Sequence, residues 1–152
     1  MHHGRATSGV CVVAVVAALA GCGGSDTTAT FKSGYNSVRT QLNQTGQAIA
    51  NEISQAPKQN DAQVSASFQS LATRFEGQVA KLKALKPPSS VAAQWNNVTS
   101  AASKLTSDLK AIASAAAAHN SSATQQAAAS LAASASALTQ AINPIKQKLG
   151  LQ

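Results

Sequence analysis

The sequence predicts an all-α fold, an up-down-up-down four-helix bundle behind an N-terminal leader and a short tether. Three observations predict it. Apolar residues recur at steps of three and four in four separate stretches, the spacing that lays one stripe along one face of a helix. Short breakers of about three to five residues separate the stretches, and connections that short favour antiparallel neighbours. Hydrophobic residues make up 44% of the chain but aromatics only 3%, because much of the apolar content is alanine, the strongest helix former and a weak core filler. The 152 residues divide into a leader at 1–21, a tether at 22–30 and a single bundle domain at 31–152.

The leader comes first. Residues 1–8 hold Arg5 and no acid, and the apolar run VCVVAVVAALA follows at 10–20, which is the positive and then apolar pattern of a signal peptide. As a helix this run would rise only about 16 Å, whereas the hydrocarbon core takes about 20 residues to cross. It is expected to be removed rather than to span. The stretch after Cys22, Gly-Gly-Ser-Asp-Thr-Thr-Ala-Thr, is small and polar without apolar periodicity, and reads as a flexible tether.

The first helix is expected over 31–55, with its stripe at Phe31, Tyr35, Val38, Leu42, Thr45, Ile49 and Ile53. Pro57 interrupts, and Asn60 with Gln63 three residues on has the spacing of a capping box for the second helix. That helix carries Val64, Phe68, Leu71, Phe75, Val79, Leu82 and Leu85, and Pro87-Pro88 ends it by removing donors and disfavouring helix in the preceding residue. Ser89 or Ser90 is expected to cap the third helix, with Val91, Trp95, Val98, Ala102, Leu105, Leu109, Ile112 and Ala116 on its stripe. The break at His119-Asn120-Ser121 follows, then Ser122 and Gln125 at capping-box spacing. The fourth stripe is Ala128, Leu131, Ala135, Leu138, Ile142, Ile145 and Leu149, with Pro144 expected to kink the helix or restart it on Asn143. A long intermolecular coiled coil is the competing architecture, and Pro57, Pro87 and Pro88 argue against a continuous rod.

The formal charge is +7, and removing Arg5 with the leader leaves 11 basic against 5 acidic residues, or +6. That excess favours anionic surfaces. Nucleic acid is a poor candidate partner, because the lysines are scattered, arginine is scarce after the leader and there are few aromatics for base stacking. If the first helix leaves a membrane, the second and fourth return toward it. Lys81, Lys83, Lys86, Lys146 and Lys148 then gather beside Lys32. Lysines at helix C-termini complement the macrodipole; the competing reading is a membrane-facing basic end, each lysine near anionic headgroups contributing about 1 kcal/mol.

Catalytic and metal chemistry find little to work with. Beyond the leader there is one histidine, His119, and the acids Asp26, Glu52, Asp61, Glu76 and Asp108 show neither the Glu-x-x-His arrangement of di-metal bundles nor a metal-ligand cluster. No nucleophile elbow or phosphate-cradling glycine-rich loop is present. The expectation is no enzyme, no catalytic residue, no metal and no cofactor. Trp95, Tyr35, Phe68 and Phe75 stand in stripe positions and are expected in the core.

The leader ends Leu19-Ala20-Gly21-Cys22, and these four residues resemble the lipobox of bacterial lipoproteins, an apolar residue and two small ones before an obligatory cysteine. The other cysteine, Cys11, lies within the leader, so the mature chain has no pair for a disulfide. The resemblance implies cleavage between Gly21 and Cys22, thioether lipidation of the Cys22 sulfur and further acylation, for instance by palmitate. Two or more acyl chains anchor stably where one is marginal. It also implies a location at the extracytoplasmic face of the bacterial cell membrane. The helical part loosely resembles small Ala-rich helical lipoproteins of actinobacteria, most of all at Leu-Lys-Ala-Leu-Lys-Pro-Pro over 82–88, and that resemblance carries no activity with it.

Two function classes follow. One is a non-catalytic envelope lipoprotein whose helical surface meets an envelope protein or supports an assembly. The alternative is a carrier holding a lipid or small hydrophobe, with a cavity between the Ala-rich third and fourth helices; alanine equally permits close approach and no cavity. A murein-linked rod is disfavoured by the ending Lys148-Leu149-Gly150-Leu151-Gln152, which lacks a terminal lysine.

Overall fold

The four apolar stripes fold as four helices in a computed structural model that describes residues 24–151, and the leader with Gly21 and Cys22 lies outside the described residues. They are α1 (Gly24–Gln55), α2 (Asp61–Ala84), α3 (Ala92–Ala117) and α4 (Ser121–Leu149), joined in sequence as an all-α bundle. Neighbours along the chain pack on one another, α3 with α4 most extensively, then α2 with α3, then α1 with α2. All the described core lies between Phe31 and Leu151, so no described residue before Phe31 contributes to it.

Burial follows the stripes closely in α2 and α3. Each of the eight α3 stripe residues is buried, with Val91, Val98, Ala102 and Leu109 at 0% exposure. In α2, Val64, Phe68, Leu71, Phe75, Val79 and Leu82 are buried. An aromatic cluster joins α1 to α3: the Phe31 and Trp95 rings meet edge to face with centroids 4.9 Å apart, and Tyr35 lies 6.1 Å from Trp95. Such pairs contribute about 0.5–1.5 kcal/mol beyond their area.

Helix α1 begins at Gly24, seven residues before the expected start, so the stretch read as a tether is helical from Gly24 to Thr30. Residues 24–30 contain no proline, and once Phe31 and Tyr35 are packed, each further turn is propagation rather than nucleation. The expected capping box of α2 forms: Asn60 Oδ1 accepts from the Gln63 amide at 2.9 Å, and Gln63 Oε1 accepts from the Asn60 amide at 3.0 Å.

Two other expected caps are replaced. Ser89 and Ser90 enter a 3₁₀ turn (Ser89–Val91) whose Val91 amide bonds the Pro88 carbonyl at 3.0 Å, and α3 starts behind it without a side-chain cap. The cap of α4 is Asn120, two residues before Ser122, its Oδ1 accepting from the Ala123 amide at 3.0 Å. Helix α3 closes in a Schellman arrangement, the Asn120 amide on the Ala115 carbonyl at 3.0 Å and the His119 amide on that of Ala116 at 2.9 Å. This puts His119 at φ 52°, a left-handed conformation that glycine usually takes. At the end of α4, Gly150 takes that conformation (φ 62°), and the Leu151 amide reaches the Lys146 carbonyl at 2.9 Å, folding Leu151 onto the core.

Helix α4 runs through Pro144 rather than restarting on Asn143. Pro144 is exposed, as is Gln140, so water can reach the Gln140 carbonyl that lacks its usual donor.

Candidate binding groove and basic end

The packing order leaves one seam of the bundle open. Helices α1 and α4 have no extensive contact with each other, and between them runs a groove of about 380 Å³. Its α1 wall carries Tyr35, Arg39, Leu42, Gly46, Ile49 and Ile53, its α4 wall carries Leu131, Ala135, Leu138 and Ile142, and Phe75 of α2 and Leu105 of α3 form the floor. At 1.5 Å per residue, the span from Tyr35 to Ile53 is about 27 Å. Ile53 is 44% exposed, and Leu42, Leu138 and Ile142 are only partly buried.

The groove lies on a different seam from the cavity expected between the third and fourth helices. There α3 and α4 make the most extensive contact of the bundle, with Leu131 and the buried Ser134 of α4 turned inward. A polar clamp accompanies them. Asp108, 5% exposed, accepts hydrogen bonds from Lys104 Nζ, from Ser130 Oγ at 2.9 Å and from Ser134 Oγ at 2.5 Å. Burial alone would raise its pKa. The hydrogen bonds from Lys104, Ser134 and Ser130 and the Lys104 charge outweigh burial and hold the carboxyl below its ordinary value. Lys104 Nζ also donates to Ser130 Oγ at 3.0 Å. This clamp fixes α4 on α3 and leaves that carboxylate fully occupied.

A lighter polar pin holds α1. Gln78 of α2, buried, donates through Nε2 to Thr45 Oγ1 at 2.8 Å and to the Gln41 carbonyl at 3.1 Å. Gly34 lets the helices come close: a Cβ there would stand 2.6 Å from Leu85 Cδ2.

Among the described residues Arg39 is the only charged one lining the groove. Its Nε is buried without a hydrogen-bond partner, and among the described residues no carboxylate lies within ion-pair distance of it. Tyr35 is next along this wall. Burial pushes its phenol up from the ordinary value, and the nearby positive charge of Arg39 partly offsets that.

Of the six lysines expected at one end, Lys81 stands farther up the bundle beside Gln41, and the others lie along two contacts at that end. The start of α1 meets the end of α2 where Thr30 and Phe31 line a hollow with Leu85 and Lys86. The end of α4 meets the start of α3 where Lys148 Nζ donates to the Ser90 carbonyl at 2.7 Å. Lys83, Lys86 and Lys148 are exposed, Lys32 and Lys146 half-buried, and Lys81 donates to Gln41 Oε1 at 2.8 Å. Among the described residues none of the six pairs with a carboxylate. With α1 extended, Asp26 belongs to its first turn rather than to a tether, which places one acid at this end of the helix.

The opposite end is mixed in charge, with Glu52, Lys58 and Asp61, and His119 Nδ1 stands 2.7 Å from Asp61 Oδ2 on the surface. Glu76 pairs with Lys110 at 2.9 Å, also exposed. Among the described residues no three His, Cys, Asp or Glu side chains come together as a metal site, and no helix is long and apolar enough to cross a membrane.

Sequence reasoning missed the groove, Arg39 and the Asp108 clamp. The groove had a signal in Gly46, which leaves a gap in the face of α1 between Leu42 and Ile49. The clamp had one in Ser130 and Ser134, four apart beside Leu131. No family model, curated protein or solved structure matches the chain.

Proposed function

We propose that this protein is a non-catalytic lipoprotein, anchored by acyl chains on Cys22 at the extracytoplasmic face of a bacterial cell membrane, where its helical surface meets an envelope partner. The observation that carries this reading is the four-residue lipobox Leu19-Ala20-Gly21-Cys22 directly behind the apolar run at 10–20. The thioether forms on the cysteine sulfur, and the small residues before it admit the peptidase.

The lysine end supports the same orientation. With Cys22 acylated, only Gly23 stands between the anchor and α1 at Gly24, so the start of the helix sits within about one Debye length, 8–10 Å, of the headgroups. Lys32 lies eight residues farther along α1, about 12 Å, and attraction to anionic lipid falls off within a Debye length, so the lysines engage headgroups where the bundle leans onto the membrane. Growth with a clickable fatty acid tests the anchor: the wild-type chain is labelled and Cys22→Ala is not. Labelling that survives the substitution, or an intact mass with a free Cys22 thiol in the mature product, refutes it.

A second reading is favoured by the α1/α4 groove: a carrier that holds a small hydrophobic molecule. Its volume of about 380 Å³ falls in the range of ligand sites, about 300–1,000 Å³. Mass spectrometry under native conditions, on protein purified from its host, distinguishes the two, since a carrier arrives with ligand bound.

A further inference from the structure

The groove can be assigned an occupant by size and by charge. A helix with side chains is about 10–12 Å across, so a 27 Å length of one would displace on the order of 2,000 Å³, several times the 380 Å³ available. A partner helix would lay only one face along the groove rather than enter it. An extended single chain of apolar atoms does fit a space that is long, narrow and walled by Leu42, Ile49, Leu131, Leu138 and Ile142.

Charge selects the head of that molecule. Among the described residues no acid lines the groove, and its one cation is Arg39, whose buried Nε has no partner. The half-buried Arg39 has no carboxylate within ion-pair distance among the described residues, and an anionic oxygen is the acceptor that a guanidinium matches best. Arg39 and Tyr35 lie toward the lysine end of the groove, while Ile53 and Leu131 lie toward the other end. A molecule with one alkyl chain and one anionic group would thus place its head toward the lysines and its tail up the seam.

We propose that the α1/α4 groove binds a single-chain anionic amphiphile, such as a fatty acid, its carboxylate on Arg39 and its alkyl chain between Leu42, Ile49, Leu131 and Leu138. This deepens the carrier reading and rests on it. It is independent of the Cys22 anchor: loss of fatty-acid binding leaves the labelling result standing, and the converse holds too.

The test uses the chain from Gly23 to Gln152, with palmitate and its neutral counterpart hexadecanol titrated below their aggregation limits and read by displacement of a fluorescent fatty acid. Gly46 lines the groove and has open space around a Cβ, so Gly46→Phe fills the seam while improving helix propensity. Gly77 is exposed on α2 with open space around it and lines no groove, so Gly77→Phe is the matched control. Wild type and Gly77→Phe should bind one palmitate saturably, and Gly46→Phe should bind neither ligand. Arg39→Gln should weaken palmitate about tenfold or more, the loss of a charged hydrogen bond, and leave hexadecanol unchanged. The proposal is overturned if palmitate does not saturate, if Gly46→Phe binds like wild type, or if Arg39→Gln weakens both ligands equally. It is equally overturned if the protein is a dimer that Gly46→Phe dissociates, which would give the seam to a second copy.

Discussion

Asp108→Asn should destabilise the bundle by about 2 kcal/mol at neutral pH, and less as the solution is acidified. The substitution keeps the size of the side chain and removes its charge, so α4 loses one of two acceptor oxygens facing Ser130 and Ser134, and Lys104 loses its counter-ion. Hydrogen bonds to a charged group contribute about 1.5–3 kcal/mol each. The Lys104 side chain is 57% exposed, so its share is discounted for solvent, and relief of carboxylate desolvation offsets part of the remainder. For a bundle of this size 2 kcal/mol corresponds to roughly 5–8 °C in Tm. The folded pKa of Asp108 is lowered. Its contribution is therefore present above the unfolded carboxyl pKa, about 3.9, and is lost as pH falls through the lowered folded value. Thermal melts followed by circular dichroism from pH 7 to pH 2 measure this. A variant as stable as wild type at pH 7, or a difference that stays constant into strong acid, would refute the clamp.

Leu109→Ala, at a fully buried position, should cost about 2–5 kcal/mol by urea unfolding. Ala102→Leu should cost about 1–3 kcal/mol in the same assay, because its face is packed without room for three more carbons. His119→Gly should raise stability by about 0.5 kcal/mol, since relief of a left-handed backbone outweighs loss of an exposed pair with Asp61; a loss of stability there would show that the pair matters more. Changing Lys83, Lys86 and Lys148 together to Gln should weaken partition of the unacylated bundle onto anionic vesicles by about a hundredfold, at about 1 kcal/mol per lysine, and equal binding of wild type to neutral vesicles would remove the basic-end reading.

The helices were legible because their signal is periodic and local. Val98, Leu105, Leu109 and Ile112 needed only their spacing to be placed inside, and Pro87-Pro88 needed only its missing donors to end α2. The start of α1 was less legible. Gly, Ser, Asp and Thr over 24–28 favour turns as an isolated peptide, but a helix already nucleated by Phe31 extends through them. Caps went to Asn120 rather than Ser122 because the Schellman turn at His119 sets where the chain re-enters a helix. Among site features, the lysine end followed from topology alone, while the groove depended on which pair of helices stays apart, a tertiary outcome that four similar stripes do not encode separately.

That outcome has a physical cause in the ties between facing helices. Asp108 of α3, accepting from Ser130 and Ser134, holds α4 down on α3 with Leu131, Ser134 and Ile145 turned inward. The apolar stripe of α4 is broader than α3 can cover, so Ala135, Leu138 and Ile142 are left along the seam. Across it α1 is drawn the other way, toward α2, by Gln78 on Thr45 and by the close approach at Gly34. Gly46 stands where a larger residue would have bridged the gap. Apolar wall left partly in water forfeits about 25 cal/mol per Å², a standing cost that a bound alkyl chain would relieve. The position of Arg39 toward the lysine end gives such a chain a direction, head toward the basic end and tail along α1. Tight packing on one seam and an open groove on another are thus two results of where the polar ties fall, Asp108 between α3 and α4 and Gln78 between α1 and α2.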